Sequence, residues 1–380
     1  MIQEPVATAG RQRRPLASSQ QHPTHHDEHV HPHVPDSSLA VGLDRRAVMR
    51  WGMVGLGAAL LAACGSDDPT SPSGTTADTA TTGATTTGAT APGGTEDRTT
   101  GPSSADNAEP LAGFDAFAES VQAFTSGDVW MVECNGMPSH QMMVGITSWQ
   151  QQFPVPQPYY DTNAWQLPRA PEMSDEPVSA KTGLFRGAIA LAVNGVPIFN
   201  ALNNRGDDAL LAGELDEFGG HCGRADDYHY HVAPLHLEEA VGSGKPIAYA
   251  LDGFAIYGSV EPDGGPVEAL DDYNGHVGSD GVYHYHGTET YPYINGGLVG
   301  VVSVSDQVDP QPTTPAFRPA GEPLRGATVT GFDDLGDGSY RLDYTIGGEV
   351  GSAEYTVTDS SVAFTFTSPA GAVTTETYAR

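Results

Sequence analysis

Basic residues are scarce in this chain of 380 residues. Lys and Arg number 17 against 48 Asp and Glu, and the formal net charge is −31 at pH 7. Nucleic-acid binders need a basic surface that displaces counterions from phosphates, so this balance excludes a nucleic acid as partner and, likewise, an anionic membrane surface. Charged residues make up only 17% of the chain, whereas Gly numbers 46 and Pro 29. The composition therefore indicates a partly globular, turn-rich protein.

Common catalytic motifs are also missing from the sequence. Neither Gly-x-Ser-x-Gly nor His-Glu-x-x-His occurs, and no glycine-rich phosphate loop is present. Serine-hydrolase, zincin and nucleotide sites therefore have no support.

Long hydrophobic runs are lacking as well. The run Trp51 to Ala63 has 13 residues, too few to span a bilayer, and it follows Arg45-Arg46 and precedes Cys64. This arrangement resembles a twin-arginine signal joined to a bacterial lipobox, with residues 1–63 cleaved and Cys64 lipidated. The alternative is a buried helix that happens to follow two arginines. We expect export by the twin-arginine route and a lipid anchor in the cell envelope, on the extracytoplasmic side of a membrane.

Composition divides the remaining chain into four segments. Residues 64–110 are rich in Thr, Ser, Gly, Ala and Pro and predict a disordered linker, because too little apolar surface is present to offset the entropy of ordering. Residues 111–309 form the main domain, residues 310–326 a Pro-rich linker, and residues 327–380 a small antiparallel β module with alternating apolar residues.

The main domain is predicted to be mainly β, sandwich-like and built of hairpins, with few short helices. Apolar runs are interrupted about every ten residues by turn sequences. Asn194-Gly195 and Asp252-Gly253 each separate two such runs and predict hairpins with two-residue type I′ turns. Only 235–241 suggests a short helix.

The domain contains an internal duplication. Residues 215–231 and 270–286 are both 17 residues long, are displaced by 55, and are identical at 9 positions, including Gly-His and Tyr-His-Tyr-His. A hairpin precedes each block, so the repeats extend over about 188–231 and 247–286. Two copies suggest a pseudo-symmetric unit in which neither half buries its apolar face alone.

The repeated histidines are candidate metal ligands. Side chains of a strand alternate between its faces, so the two histidines of each Tyr-His-Tyr-His share one face, about 6.6 Å apart, and the Gly-His residue could add a third imidazole. Three neutral imidazoles suit zinc, and imidazole also suits copper, nickel and iron. The candidate ligands are His221, His229, His231, His276, His284 and His286, and the candidate carboxylates that orient them are Asp226, Asp227 and Asp280. The alternative is a packed, hydrogen-bonded strand motif without metal.

These motifs resemble the bacterial YHYH-domain family. Tyr228-His229-Tyr230-His231, the segment 246–258 and the second Tyr-His-Tyr-His carry the resemblance, which extends over roughly Val129 to Val302. Ala255 stands where the family more usually has Pro. The resemblance implies the domain boundary and, through Asn135-Gly136-Met137-Pro138-Ser139-His140, adds His140 as a candidate ligand. It implies neither an activity nor the identity of a metal.

Three other residues have weaker assignments. In an exported protein, Cys134 and Cys222 are expected to form a disulfide, although Cys222 adjoins His221 and could instead be a soft ligand that favours copper. Asp252 is expected to serve its turn and is a weak candidate for a catalytic base.

Two functions remain open at this stage. One is a metal-dependent enzyme acting on a small molecule, hydrolytic with zinc or oxidative with copper. The other is a non-catalytic surface module that scavenges metal or is stabilised by it. A nuclease with a Tyr nucleophile is disfavoured by the charge. The sequence indicates neither a substrate nor an oligomeric state.

Overall fold

The structure is a computed structural model that describes residues 111–380. The predicted signal (1–63), the lipidated Cys64 and the linker (64–110) lie outside the described residues and stay predictions. Across residues 111–380, no helix is long and apolar enough to cross a membrane.

Short strands dominate the described residues. The first strands in chain order are β1 (Gln122–Ser126), β2 (Val129–Glu133), β3 (Trp165–Pro168) and β4 (Met173–Ser179). The repeats contain β5 (Ala188–Ala192), β6 (Pro197–Phe199), β7 (Gly220–Cys222), β8 (Tyr228–Tyr230), β9 (Ala248–Ala250), β10 (Ala255–Tyr257), β11 (Gly275–Val277) and β12 (Tyr283–His286). They are followed by β13 (Gly297–Gly300), β14 (Ser303–Val304), β15 (Val308–Asp309), β16 (Ala327–Gly336), β17 (Ser339–Ile346), β18 (Glu349–Val357), β19 (Ser361–Thr367) and β20 (Val373–Ala379). The helical elements are 3₁₀ turns at Phe114–Phe117, Asp161–Asn163 and Leu235–Leu237, and α1 (Glu238–Val241). The expectation of a mainly β protein with few short helices is confirmed.

The duplication builds the largest sheet, whose strand order is β11-β12-β10-β9-β5-β6-β8-β7. Each half begins with a hairpin, and the second strand of that hairpin pairs in parallel with the Tyr-His-Tyr-His strand. The Gly-His strand then pairs antiparallel with the Tyr-His-Tyr-His strand and forms the edge of the sheet. The halves meet where β5 pairs antiparallel with β9. The sheet is therefore approximately two-fold symmetric about this pair, with β8 and β12 on opposite sides of it.

The two central strands form the buried middle of the sheet. Every residue of Ala188–Ala192 and Ala248–Ala250 is buried. A continuous apolar run of this length is typical of a strand covered on both faces, and here each half supplies one such strand to the other. This pairing explains why the sequence carries two copies.

The hairpin turns differ from the predicted type I′. Gly195 and Gly253 have φ of 82° and 92°, but Asn194 and Asp252 are not among the described residues with positive φ. A type I′ turn needs positive φ at both central residues, so that prediction was wrong. The side chains explain the difference, because Asn194 Oδ1 and Asp252 Oδ1 each accept a hydrogen bond from the backbone N–H two residues later.

Smaller sheets flank the repeats. β1, β2 and β3 form a three-stranded antiparallel sheet, β4 pairs with β13, and β14 pairs with β15. Val132, Trp165 and Leu298 from these strands join the same buried apolar cluster as Ile189. The flanking sheets therefore share the core of the repeats.

The C-terminal module is a five-stranded antiparallel meander from β16 to β20, as expected. It packs against the segment before β3: Val329 exchanges backbone hydrogen bonds with Gly145 and Ile146, and the Tyr355 hydroxyl donates to Pro154 O. The module thus extends the core formed by the repeats.

Candidate metal centres

Strand pairing brings three histidines together in the first repeat. His229 on β8 lies directly opposite His221 on β7, and His231 follows two residues later on the same face as His229. We call these residues the first cluster. Their ring centroids form a nearly equilateral triangle with sides of 4.9, 4.9 and 5.0 Å, and the side chains are buried.

Backbone carbonyls orient the rings of the first cluster. His231 Nδ1 donates to Asn200 O at 2.6 Å, and His229 Nδ1 donates to Asp227 O at 3.0 Å. A neutral imidazole that donates through Nδ1 has its lone pair on Nε2. His231 Nε2 lies 3.1 Å from His221 Nε2, and His229 Nε2 is buried with no hydrogen-bond partner among residues 111–380. The protein therefore directs acceptor nitrogens towards one point, which is what a metal ion requires.

The second repeat builds an equivalent group and adds a carboxylate. His276 lies opposite His284, His286 follows on the same strand, and Glu261 approaches all three rings. We call these four residues the second cluster. His284 Nε2 is 3.0 Å from His276 Nε2 and 3.1 Å from His286 Nε2. The Glu261 oxygens lie 3.2 Å from His276 Nε2, 3.1 Å from His284 Nε2 and 3.6 Å from His286 Nε2.

Orientation in the second cluster follows the first. His286 Nδ1 donates to Gly258 O at 2.9 Å, and Gly258 occupies the position after β10 that Asn200 occupies after β6. Gly223 and Gly278 are equivalent too, and a Cβ on either would approach the His229 or His284 ring to 3.0 Å or less. The repeated glycine therefore makes room for the central imidazole of each cluster.

Donor spacing in both clusters fits a coordinated ion. Zinc–nitrogen bonds of about 2.0–2.1 Å in a tetrahedron place neighbouring donors about 3.3–3.4 Å apart. The nitrogen–nitrogen distances of 3.0–3.1 Å are slightly shorter. In each cluster, one ligand atom from every member lies within 4.8 Å of the others. Both groups could therefore hold a metal.

Burial lowers the pKa of His221, His231 and His286. The pKa of His221 is well below its usual value and that of His231 is lowered to about 3, in each case first through loss of solvation and then through the neighbouring histidines. Loss of solvation also lowers the pKa of His286. Burial would raise the pKa of Glu261, but hydrogen bonds from Glu268 N–H and His284 and the proximity of His286 and His276 lower it overall. Neutral imidazoles and an ionised carboxylate are the forms that bind metal.

The clusters are two separate sites. β8 and β12 are separated in the sheet by β6, β5, β9 and β10. Five strand spacings of about 4.8 Å correspond to roughly 24 Å. The two repeats therefore offer two mononuclear sites and no shared one.

The three predicted orienting carboxylates have different roles. Asp227 lies beside the first cluster, with Oδ2 3.4 Å from His229 Nδ1. Asp226 instead forms a bidentate ion pair with Arg318, at 2.6 and 2.7 Å. Asp280 accepts a hydrogen bond from Val282 N–H in its own turn, and no bond from Asp280 to a histidine is found in the described part of the chain. Only Asp227 is therefore placed as predicted.

His140 and Asp252 contact the tyrosine faces of β8 and β12, the Tyr-His-Tyr-His strands. His140 Nε2 lies 2.7 Å from the Tyr230 hydroxyl, its Nδ1 lies 2.7 Å from Gln141 O, and its ring stacks on Phe218. His140 joins neither cluster, because strand alternation places Tyr230 opposite His229 and His231. Asp252 Oδ2 accepts hydrogen bonds from the Tyr285 hydroxyl and Gly300 N–H. Asp252 therefore fixes structure, on the face away from the second cluster.

The predicted disulfide is not formed. Cys134 and Cys222 are both buried and free. The Cys134 thiol donates to Gly195 O at 3.2 Å, and Cys222 lies at the far edge of the large sheet, on β7. Side chains of adjacent strand residues point to opposite faces, so Cys222 points away from His221 and its sulfur is not among the atoms of the first cluster.

Glu261 is a site residue that sequence reasoning missed. It precedes the second 17-residue block, and an isolated acidic residue in a turn carries no motif. The segments that follow the two hairpins align with a displacement of 58 residues, which pairs Glu261 with Asn203. This alignment could have identified Glu261 as a candidate.

Comparison with known proteins agrees with the motif assignment. Residues 164–268 match the model of a family described as YHYH protein. This segment contains the first cluster and Glu261 but ends before His276, so it is shorter than the resemblance over 129–302. Neither the curated proteins nor the solved structures gave a match.

Proposed function

Since this chain carries a YHYH domain, we propose that its function is to bind two transition-metal ions outside the cytoplasm, one in each histidine cluster. The observation that carries the proposal is the buried Nε2 of His229, which lacks a hydrogen-bond partner within the described residues while its Nδ1 is held by Asp227 O. A buried polar atom left unsatisfied costs about 1–3 kcal/mol. Coordination to a metal removes this cost.

The alternative of a packed strand motif accounts for the geometry less well. Packing requires each buried nitrogen to find a donor or acceptor, as both nitrogens of His140 do. In the first cluster, His229 Nε2 finds no such partner within residues 111–380, and His231 Nε2, an acceptor, lies 3.1 Å from His221 Nε2. Two lone pairs at this distance repel unless a cation or a proton lies between them.

The donor types favour a borderline divalent ion. Imidazole nitrogen binds zinc, copper, nickel and iron, whereas no thiolate belongs to either cluster in residues 111–380. We propose zinc or Cu(II) as the resident ion. The candidate signal before Cys64 supports an extracytoplasmic, lipid-anchored location, where the domain would encounter ions from outside the cell.

Metal content of the full chain tests the proposal. Purified protein, metal-depleted and then titrated with zinc or Cu(II), is expected to bind two ions per chain by elemental analysis. The double variant His229→Ala/His231→Ala should keep only the second ion, and His284→Ala/His286→Ala only the first. His140→Ala is the matched control and should keep both. Protein that takes up neither metal would overturn the proposal.

A further inference from the structure

The two clusters differ at one equivalent position. Asn203 follows β6 as Glu261 follows β10: Asn203 N–H donates to Asp207 O at 2.8 Å, and Glu261 N–H donates to Gly265 O at 3.0 Å. The preceding residues, Leu202 and Val260, each form an isolated bridge at equivalent points of their loops. The loop backbones therefore correspond, but only Glu261 supplies a carboxylate to the rings.

The Asn203 side chain is used within its own loop. Its Oδ1 accepts hydrogen bonds from Arg205 N–H and Asp207 N–H, both at 3.0 Å, and its Nδ2 donates to Glu214. The first cluster consequently has three protein donors among the described residues, and the second has four. Three protein ligands leave a coordination position for an exchangeable group, whereas four close a tetrahedral shell.

The net charge of the ion with its ligands also differs between the clusters, and the difference again favours an additional ligand at the first cluster. A divalent ion held by three neutral imidazoles keeps its full charge of two, whereas Glu261 reduces the charge to one. Arg205 lines the cavity beside His221 and is paired there with Asp207 and Glu214, so it offsets part of their negative charge. An ion in the first cluster should therefore attract an anion as its fourth ligand.

A cavity gives such a ligand space. It has a volume of about 350 Å³ and borders His221. Met143, Ile146 and Trp149 line it together with uncharged polar side chains and the charged Arg205, Glu214 and Arg325. A pocket that combines apolar walls with a few polar and charged groups suits a small organic molecule. A smaller cavity of about 210 Å³ borders His284, but Glu261 already completes the donor set there.

We infer, on the premise that both clusters bind metal as proposed above, that the first cluster binds a small organic anion such as a carboxylate at its metal ion, whereas Glu261 closes the second. Glu214 is the competing fourth ligand for the first cluster. Its carboxylate is paired with Arg205 and bonded by Asn203 Nδ2. The first cluster is therefore the site for any chemistry on a small molecule, and the second cluster stabilises the fold.

Cobalt substitution distinguishes the clusters, because the visible spectrum of Co(II) reports its ligands. The full chain is loaded with Co(II) and titrated with sodium azide, a small anion that coordinates metals. His284→Ala/His286→Ala, which retains the first cluster, should show a saturable spectral change. His229→Ala/His231→Ala, which retains the second, should respond at least tenfold more weakly. Equal responses, or a response from the second cluster alone, would overturn the inference.

Two further variants keep the test independent of folding defects in the double variants. Glu261→Gln should create an azide response at the second cluster, because it removes the closing carboxylate. Glu214→Gln should not weaken the response of the first cluster, and the parent chain should already respond with Glu214 in place. If azide has no effect until Glu214 is replaced, Glu214 is the fourth ligand and the inference fails. A chain that binds no Co(II) at all would instead contradict the proposed function.

Discussion

The Tyr285 hydroxyl donates a 2.6 Å hydrogen bond to Asp252 Oδ2 on the face of β12 opposite the second cluster. Asp252 also accepts from Gly300 N–H and Phe254 N–H. In the first repeat, Asn194 Nδ2 donates to the Tyr230 hydroxyl at 3.0 Å. Each hairpin turn therefore bonds to a tyrosine hydroxyl of the Tyr-His-Tyr-His strand in its own repeat. The histidine faces of these strands remain available for metal.

Replacing Asp252 should reduce stability without removing metal. Asp252→Ala leaves three buried donors without their acceptor, and a hydrogen bond to a charged group contributes about 1.5–3 kcal/mol, so we expect a loss of about 3 kcal/mol or more in the free energy of unfolding. Urea unfolding measures this loss, and zinc titration measures the ions bound. A variant as stable as the parent protein, or one that loses an ion, would contradict this structural role.

The Asp226–Arg318 ion pair should strongly stabilise the contact between the repeats and the segment that leads to the C-terminal sheet. Both side chains are buried, and the Arg318 guanidinium also lies 5.2 Å from the Phe153 ring centroid. Arg318→Ala leaves a buried carboxylate unpaired and should cost about 3–5 kcal/mol in chemical unfolding. The half-buried Arg341 pairs with the exposed Glu354, and Arg341→Ala should cost less than about 1 kcal/mol. Similar losses in the two variants would contradict this role.

Asp227 should affect the metal affinity of the first cluster only. Its carboxylate lies 3.4 Å from His229 Nδ1, and the equivalent residue in the second repeat is Val282. Carboxylates that orient metal-bound histidines typically contribute about 10–100-fold in affinity. Asp227→Asn keeps the backbone carbonyl that accepts from His229 Nδ1 and removes only the carboxylate charge, so it should weaken zinc binding at one of the two sites by about tenfold or less, as measured by competition with a chelator. Asp280→Asn is the control, and a matching loss in that variant would argue against an orienting role specific to Asp227.

His140 should make the metal-free protein sensitive to acid. Burial lowers the pKa of His140 from 6.5 to about 4, so between these values the unfolded chain binds more protons than the folded chain. Stability is therefore lost as the pH falls from 6.5 towards 4. In urea unfolding with a chelator present, His140→Gln should lose up to about 2 kcal/mol less than the parent protein between pH 7 and pH 5. Equal losses would show that His140 does not contribute.

Local patterns predicted the parts of the site that lie on regular strands. Strand alternation placed His229 and His231 on one face, and the repeated Gly-His placed His221 and His276 next to them. Such predictions work because the period of a strand is fixed by its backbone.

Contacts between distant segments were not predictable in the same way. Glu261 reaches the second cluster from a loop, and His140 contacts Tyr230 although 90 residues separate them. The disulfide failed for the same reason, since cysteine spacing does not reveal which strand each thiol occupies. The turn type was missed because the side chains of Asn194 and Asp252 accept hydrogen bonds from the backbone N–H two residues later.

Crystals of the full chain grown with zinc would test the central claim most directly, through anomalous scattering measured at the zinc edge. We predict two peaks per chain, one about 2.0–2.1 Å from the Nε2 atoms of His221, His229 and His231, and the other at the same distance from those of His276, His284 and His286. The second peak should also lie at bonding distance from a Glu261 oxygen. Histidine rings in the same positions with no peak between them would contradict the claim.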